Sequence, residues 1–213
     1  AAPIISQANF FSGSDDVIKV AVIGCGGRGT GAAVQALMSK QNVKIVAMAD
    51  AFRDRLDECY KNVSGELASA GAGTKGTLDV PEERKFVGFD GYLKAIPLAD
   101  VVILATPPGF RPIHFEEAIK QGKHVFMEKP VAVDPAGVQR VLKAAAVAKQ
   151  KKLNVVVGLQ RHYQNSYREL FKRKDQIGDI TSAQAWWNND GVWVNKRKYG
   201  QTEMEYQMRN WYY

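Results

Sequence analysis

Two stretches of this chain carry residue types whose spacing could do chemistry. Gly24-Cys25-Gly26-Gly27-Arg28-Gly29 fits the pattern G-x-G-x-x-G, and Glu128-Lys129-Pro130 sets a carboxylate beside an amine ahead of a proline. In the first stretch each glycine has its own physical reason. Gly24 permits a tight strand-to-helix turn, Gly26 lets a pyrophosphate approach the backbone, and Gly29 lets helix and strand pack closely. The unpaired N–H groups of the following helix then face the phosphates. Asp50 stands 26 residues after Gly24, at the end of the next apolar run, somewhat beyond the usual interval of roughly 20. A carboxylate there accepts hydrogen bonds from the adenosine ribose and repels a 2′-phosphate, which favours NAD over NADP. Arg53 and Arg55 pull the other way, because a nearby arginine can accommodate that phosphate; both also suit an exposed helix face. Cys25 reads as a small residue filling its place in the loop. The competing reading is a thiol activated by the helix N-terminus. Cys59 reads as core.

Glu128-Lys129-Pro130 falls at the end of a strand, and ligands of open α/β sheets bind beyond the carboxyl ends of the strands. A lysine there, partly desolvated and set against a positive nicotinamide ring, can hold or deprotonate a substrate hydroxyl. The competing reading is an exposed Lys-Pro turn. Pro130 is a candidate for a cis peptide bond.

The elements that position these residues are legible as short β-branched runs alternating with amphipathic stretches. Ile18–Ile23, Val43–Ala49 and Asp100–Ala105 read as buried strands, and His124–Met127 and Asn154–Gly158 as two further strands. Thr30–Lys40, Phe52–Ser69, Asp90–Ile96, Ile113–Lys120 and a stretch from Asp134-Pro135 to about Gln150 read as helices. Gly122 is a C-cap of the fourth, and Asp134 with Pro135 is the N-cap and first position of the fifth. Gly71–Val80 reads as a flexible connection. Such alternation predicts an α/β fold, a Rossmann-type doubly wound parallel sheet covered by helices on both faces. After residue 158 the pattern changes: a helix near Ser166–Gln176, a strand over Asp179–Trp187, then an irregular aromatic segment.

Composition narrows the class. The 213 residues are 46% hydrophobic and 24% charged, ordinary for a globular chain. No apolar run approaches ~18 residues, so no transmembrane helix is expected. Two cysteines are too few for a disulfide framework or a cysteine-rich zinc site. The formal net charge of +7 is uneven: Ala1–Pro130 holds 15 basic and 15 acidic residues, Val131–Tyr213 holds 14 and 7. Without a matching motif this reads as solvated helix faces rather than a nucleic-acid or membrane surface. All four tryptophans lie between Trp186 and Trp211, and the chain ends on Trp211-Tyr212-Tyr213. We expect the second domain to continue beyond this ending.

The glycine loop, Asp50, Thr106-Pro107-Pro108, His114 and above all Gly122-Lys123-His124-Val125-Phe126-Met127-Glu128-Lys129-Pro130 resemble the glucose–fructose oxidoreductase / inositol dehydrogenase (Gfo/Idh/MocA) family over about Ile18–Tyr213. The resemblance implies a Rossmann domain for NAD or NADP over residues 18–158. It also implies the start of an α+β domain for substrate binding and oligomerisation over 159–213, with 1–17 a linker or the remnant of an export signal. Hydride would move between a sugar or polyol carbon and nicotinamide, with Lys129 on the reacting hydroxyl. Gly24, Cys25, Gly26, Gly27, Arg28, Gly29, Asp50, Arg55, Thr106, Pro107, Glu128, Lys129 and Arg161 would bind the cofactor. His114 would be structural or would support a neighbouring site residue, rather than act in catalysis. The family's further catalytic histidine has no match among His114, His124 and His162, so a chain with these residues alone is expected to be inactive. Ala1-Ala2-Pro3-Ile4-Ile5-Ser6 resembles the tail of a twin-arginine signal of exported members; a cytoplasmic protein is the other reading. Two further functions are consistent with the same residues: glycoside cleavage through transient oxidation and elimination, and a non-catalytic nucleotide-binding module. A homo-oligomer is expected for the family.

Overall fold

A computed structural model describes residues 16–212. Most of the expected export remnant or linker at 1–17 lies outside the described residues. The order of elements is β1 (Ile18–Ile23), α1 (Gly27–Leu37), β2 (Val43–Asp50), α2 (Arg53–Ala70), β3 (Thr77–Leu78), β4 (Lys85–Val87), α3 (Gly91–Ala95), β5 (Val101–Leu104), α4 (Arg111–Lys120), β6 (His124–Met127), α5 (Pro135–Gln150) and β7 (Val155–Val157). Every strand pairing is parallel, in the order β3-β2-β1-β5-β6-β7. The stretch expected to be a flexible connection holds β3, which pairs with Lys44 and Ile45; β4 then pairs with Met48, Ala49 and Asp50. Two short strands thus share one flank of β2. A two-residue strand carries too little alternation to be read from sequence.

The inner strands are apolar on both sides because both faces are covered, whereas the edge strand β7 leaves Val156 exposed. Val20 and Val22 of β1 share one buried cluster with Ala33 and Leu37 of α1 and Leu56, Cys59 and Val63 of α2. Ala21 and Ile23 share the other with Phe115 and Ile119 of α4 and Val141, Ala144 and Ala148 of α5. This is a Rossmann-type α/β fold. The chain leaves β1 toward β2 and later returns to β1's other side as β5, so the carboxyl ends of β1 and β5 part at a topological switch point. The Asp134 side chain accepts from the Gly137 N–H to cap α5, and Gly122, at φ 72°, follows the end of α4.

The chain divides after Leu159 into two compact units. The second contains α6 (Gln160–Tyr163), α7 (Asn165–Lys172), a 3-10 turn at Lys174–Ile177 and α8 (Glu203–Arg209). The strand expected at Asp179–Trp187 does not form: residues 178–202 hold neither helix nor strand. A strand exists only as a pairing, and among the described residues this segment has no ladder partner. The segment expected to be irregular instead contains α8. Thr202 caps it by accepting from the Glu205 N–H, a capping-box spacing present in Thr202-Glu203-Met204-Glu205. Asn195 and Asn210 exchange backbone and side-chain hydrogen bonds across this unit, and Trp193 meets Trp211 edge-on at 5.5 Å. Among the described residues no helix is long and apolar enough to cross a membrane.

Candidate functional site

The glycine-rich turn lies at the switch point, and its three glycines do different things. Gly24 sits at φ +95°, and a Cβ there would lie 2.5 Å from the Thr106 nitrogen, so the ends of β1 and β5 touch through backbone. A Cβ on Gly29 would fall 1.8 Å from the Gly24 carbonyl oxygen, because α1 packs directly on the turn. Gly26 and Gly27 are the opposite case: a Cβ on either meets nothing within 4 Å. The loop therefore presents bare backbone to open space just where α1 begins. The Gly26 carbonyl accepts the Thr30 N–H, which leaves the N–H groups ahead of it without intrahelical acceptors. Bare backbone plus unpaired donors at a helix N-terminus suits a pyrophosphate.

Asp50 closes one side of this loop. One carboxylate oxygen accepts the Cys25 N–H at 2.7 Å and the other the Phe52 N–H at 2.9 Å. Each oxygen keeps a lone pair for a further donor. Burial pushes the Asp50 carboxyl up, opposed by these two backbone donors and by the Arg55 charge. Arg53 is engaged with Asp57 and Glu82, and Arg55 lies 3.6 Å from Glu58. The Cys25 thiol points inward: it is 2% exposed and donates to the Ala49 carbonyl at 3.6 Å. The Cys59 thiol beside it and burial push it well up, which disfavours the thiolate that an activated nucleophile needs.

The other side is built from the chain after β5 and β6. Thr106 Oγ1 lies 3.1 Å from His114 Nδ1. His114 is buried, and desolvation together with the Arg111 cation holds it down to about 4. Arg111, at the start of α4, is 2% exposed and donates to the carbonyls of both Thr106 and Pro130. The Lys129–Pro130 bond is cis. Glu128 is buried and pairs with Arg28 of the glycine turn, so residues 100 apart in sequence join the two motifs. Gly158, after β7, packs against the Glu128 carboxylate. Lys129 itself is exposed. The partial desolvation expected for its amine is not supplied by the described residues, because it stands on the open carboxyl edge of the sheet.

The fold thus brings together the glycine turn, Asp50, Thr106, Glu128 and Lys129, with Pro107 in the turn that enters α4. Arg161 belongs to the second unit, where it donates to Gln164 at 2.7 Å and lies over the Tyr167 ring. Sequence reading missed two features. One is the Arg28–Glu128 pair, which no local spacing encodes. The other is Arg111, which stands two residues ahead of the helix expected at Ile113–Lys120 and opens the observed one.

Comparison with known proteins gives a consistent result. Residues 18–159 match the Gfo/Idh/MocA family model, described as an oxidoreductase family with an NAD-binding Rossmann fold. Inositol 2-dehydrogenase 3 of Saccharopolyspora erythraea is 29% identical over 168 residues, which is 79% of this chain and 44% of that protein. Inositol 2-dehydrogenase of Burkholderia lata is 32% identical over 167 residues, covering 76% of this chain and 42% of that one. Among solved structures, scyllo-inositol dehydrogenase from Lactobacillus casei with bound NAD(H) and scyllo-inositol superposes with a TM-score of 0.56 at 26% identity. That match covers 78% of this chain and 44% of the other. The chain spans less than half the length of these relatives.

Proposed function

The chain belongs to the Gfo/Idh/MocA oxidoreductase family, and from that premise we propose that it serves NAD-dependent hydride transfer at a hydroxyl-bearing carbon of a polyol or sugar. The convergence of the bare glycine turn, Asp50 and the Glu128-Lys129 strand end on one switch point carries this reading. In it, residues 18–158 bind the dinucleotide and residues 159–213 are the start of a substrate domain. The Gly26 and Gly27 backbone receives the pyrophosphate, with Arg28 beside it. Asp50 holds the adenosine ribose, and its carboxylate makes NAD the preferred form; Arg55 moderates its charge.

When bound, nicotinamide supplies the two-electron hydride sink or source. Thr106 and Pro107 line its ribose. Lys129, exposed on the open edge, holds the reacting hydroxyl by donating to its oxygen, while the carbon gives up hydride and the hydroxyl proton passes to the further catalytic histidine that the family resemblance implies, so that alcohol becomes carbonyl. Glu128, fixed by Arg28 and Gly158, orients the strand end that presents Lys129. Inositol, the substrate class in the names of the relatives, fits this chemistry as a ring of secondary alcohols.

Millimolar NAD is expected to raise the melting temperature of this chain by about 3–5 °C, if it binds with roughly 0.1 mM affinity. Asp50→Ala should abolish that rise. No rise with NAD or NADP at millimolar concentration would sink the proposal, and a larger rise with NADP would reverse the cofactor preference.

A further inference from the structure

We infer that Arg111 is a positioning residue for the nicotinamide end of the site, its guanidinium tying the Thr106 and Pro130 carbonyls together and so setting the spacing between Thr106 and Lys129. The inference rests on the reading above that these residues face nicotinamide.

Arg111 is among the most buried charged side chains of the described residues, at 2% exposure. It has no ion-pair partner within 4.0 Å among them, and its Nε has no hydrogen-bond partner there. The Glu128 carboxylate opposes the cost of burial only from a distance; a buried cation with no contacting counter-ion is costly, and an apolar side chain of similar volume would pack at least as well. Packing therefore does not explain the guanidinium. Its connections do. One terminal nitrogen donates to the Thr106 carbonyl, in the turn after β5; the other donates to the Pro130 carbonyl, in the turn after β6. These turns leave neighbouring parallel strands, and beyond the strand ends the ladder no longer holds them in register. A planar fork reaches two acceptors at fixed separation, which a lysine ammonium on a flexible stem does not. Burial pulls Arg111 down to about 10, so the fork stays charged at neutral pH. The same cation disfavours protonation of His114, keeping a neutral imidazole beside the Thr106 hydroxyl.

The test compares NADH with ADP, which occupies the adenosine half only, by calorimetric titration of this chain and its R111M and R111K variants. R111M, which removes both carbonyl contacts, should weaken NADH about tenfold, while ADP changes by less than about twofold. R111K, which keeps the charge and a donor head but not the fork that spans both carbonyls, should recover part of the NADH affinity. NADH affinity unchanged in R111M, or equal losses for NADH and ADP, would overturn the inference. Should R111M not fold, R111K decides in the same way: a larger loss for NADH supports it and equal losses overturn it. A wild-type chain that binds neither nucleotide overturns the nucleotide-binding reading and this inference with it. A wild-type chain that binds both, with variants that lose both alike, overturns the inference alone.

Discussion

Gly29→Ala is expected to destabilise the protein by about 3 kcal/mol, at the upper end of overpacking substitutions, with a fall in melting temperature of roughly 6–12 °C. The cause is local and cannot be relieved by a rotamer. The added Cβ would sit 1.8 Å from the Gly24 carbonyl oxygen and 2.9 Å from its carbon, both backbone atoms. Helix α1 must lift away from the turn or the turn must deform. Gly24 has little room to yield, since it is itself wedged against the Thr106 nitrogen at φ +95°. The displaced helix also carries the N–H groups proposed to meet the pyrophosphate, so NAD-dependent stabilisation should disappear together with the stability. Gly31→Ala is the control. It lies in the same helix with nothing within 4 Å of its would-be Cβ, so it should stabilise by about 0.5–1 kcal/mol. Urea unfolding of the two variants separates close packing from helix propensity. Equal midpoints would remove the steric explanation.

Acid is expected to weaken the fold through His114. An unfolded histidine titrates near 6.5, while burial and the Arg111 cation hold His114 down to about 4. Between those values the unfolded chain binds the extra proton. This contribution to stability is therefore fully present above about pH 6.5 and is lost as pH falls toward 4, at close to 1.4 kcal/mol per pH unit. The loss is about 2 kcal/mol at pH 5 and approaches 3 kcal/mol at pH 4. Asp50 works in the opposite sense, because a carboxyl pushed up by burial favours the folded state as it becomes protonated. His114→Gln isolates the histidine. It keeps a polar partner for Thr106 Oγ1 and has no proton to gain, so its urea midpoint should fall less than the wild type's between pH 7.5 and pH 5. Parallel pH profiles for the two proteins would show that His114 is not the group responsible.

These two residues mark the boundary of what could be read in advance. Gly29 was legible because the steric demand of a strand–turn–helix is local: glycines at fixed offsets after a β-branched run require that turn whatever surrounds it. The same holds for β1, β2, β5 and β6, whose apolar runs say that both faces are covered, and for α5, opened by Asp134 and Pro135; β7 has the same apolar run but leaves Val156 exposed. Local spacing also encoded the cap of α8 in Thr202 and Glu205, a signal present but passed over. The expected strand at 179–187 shows the converse, since alternation proposes a strand and only a partner edge makes one.

His114 and Arg111 were legible only as types. His114 falls in the expected helix and Arg111 just ahead of it, but nothing in the spacing says that the helix starts early enough to bury Arg111, that one Arg111 nitrogen reaches the turn after β5 and another the turn after β6, or that the imidazole meets Thr106. The chain by itself determined the parallel sheet, the place of the glycine turn and Asp50's station at the end of β2, because each follows from side-chain periodicity and backbone sterics over a few residues. Only the tertiary structure decided that Arg28 grips Glu128, that Lys129 stands exposed while Glu128 is buried, and that a buried arginine joins two strand ends. Those facts depend on which strands lie side by side, and burial and pairing across such distances are properties of the packed sheet rather than of any short stretch of chain.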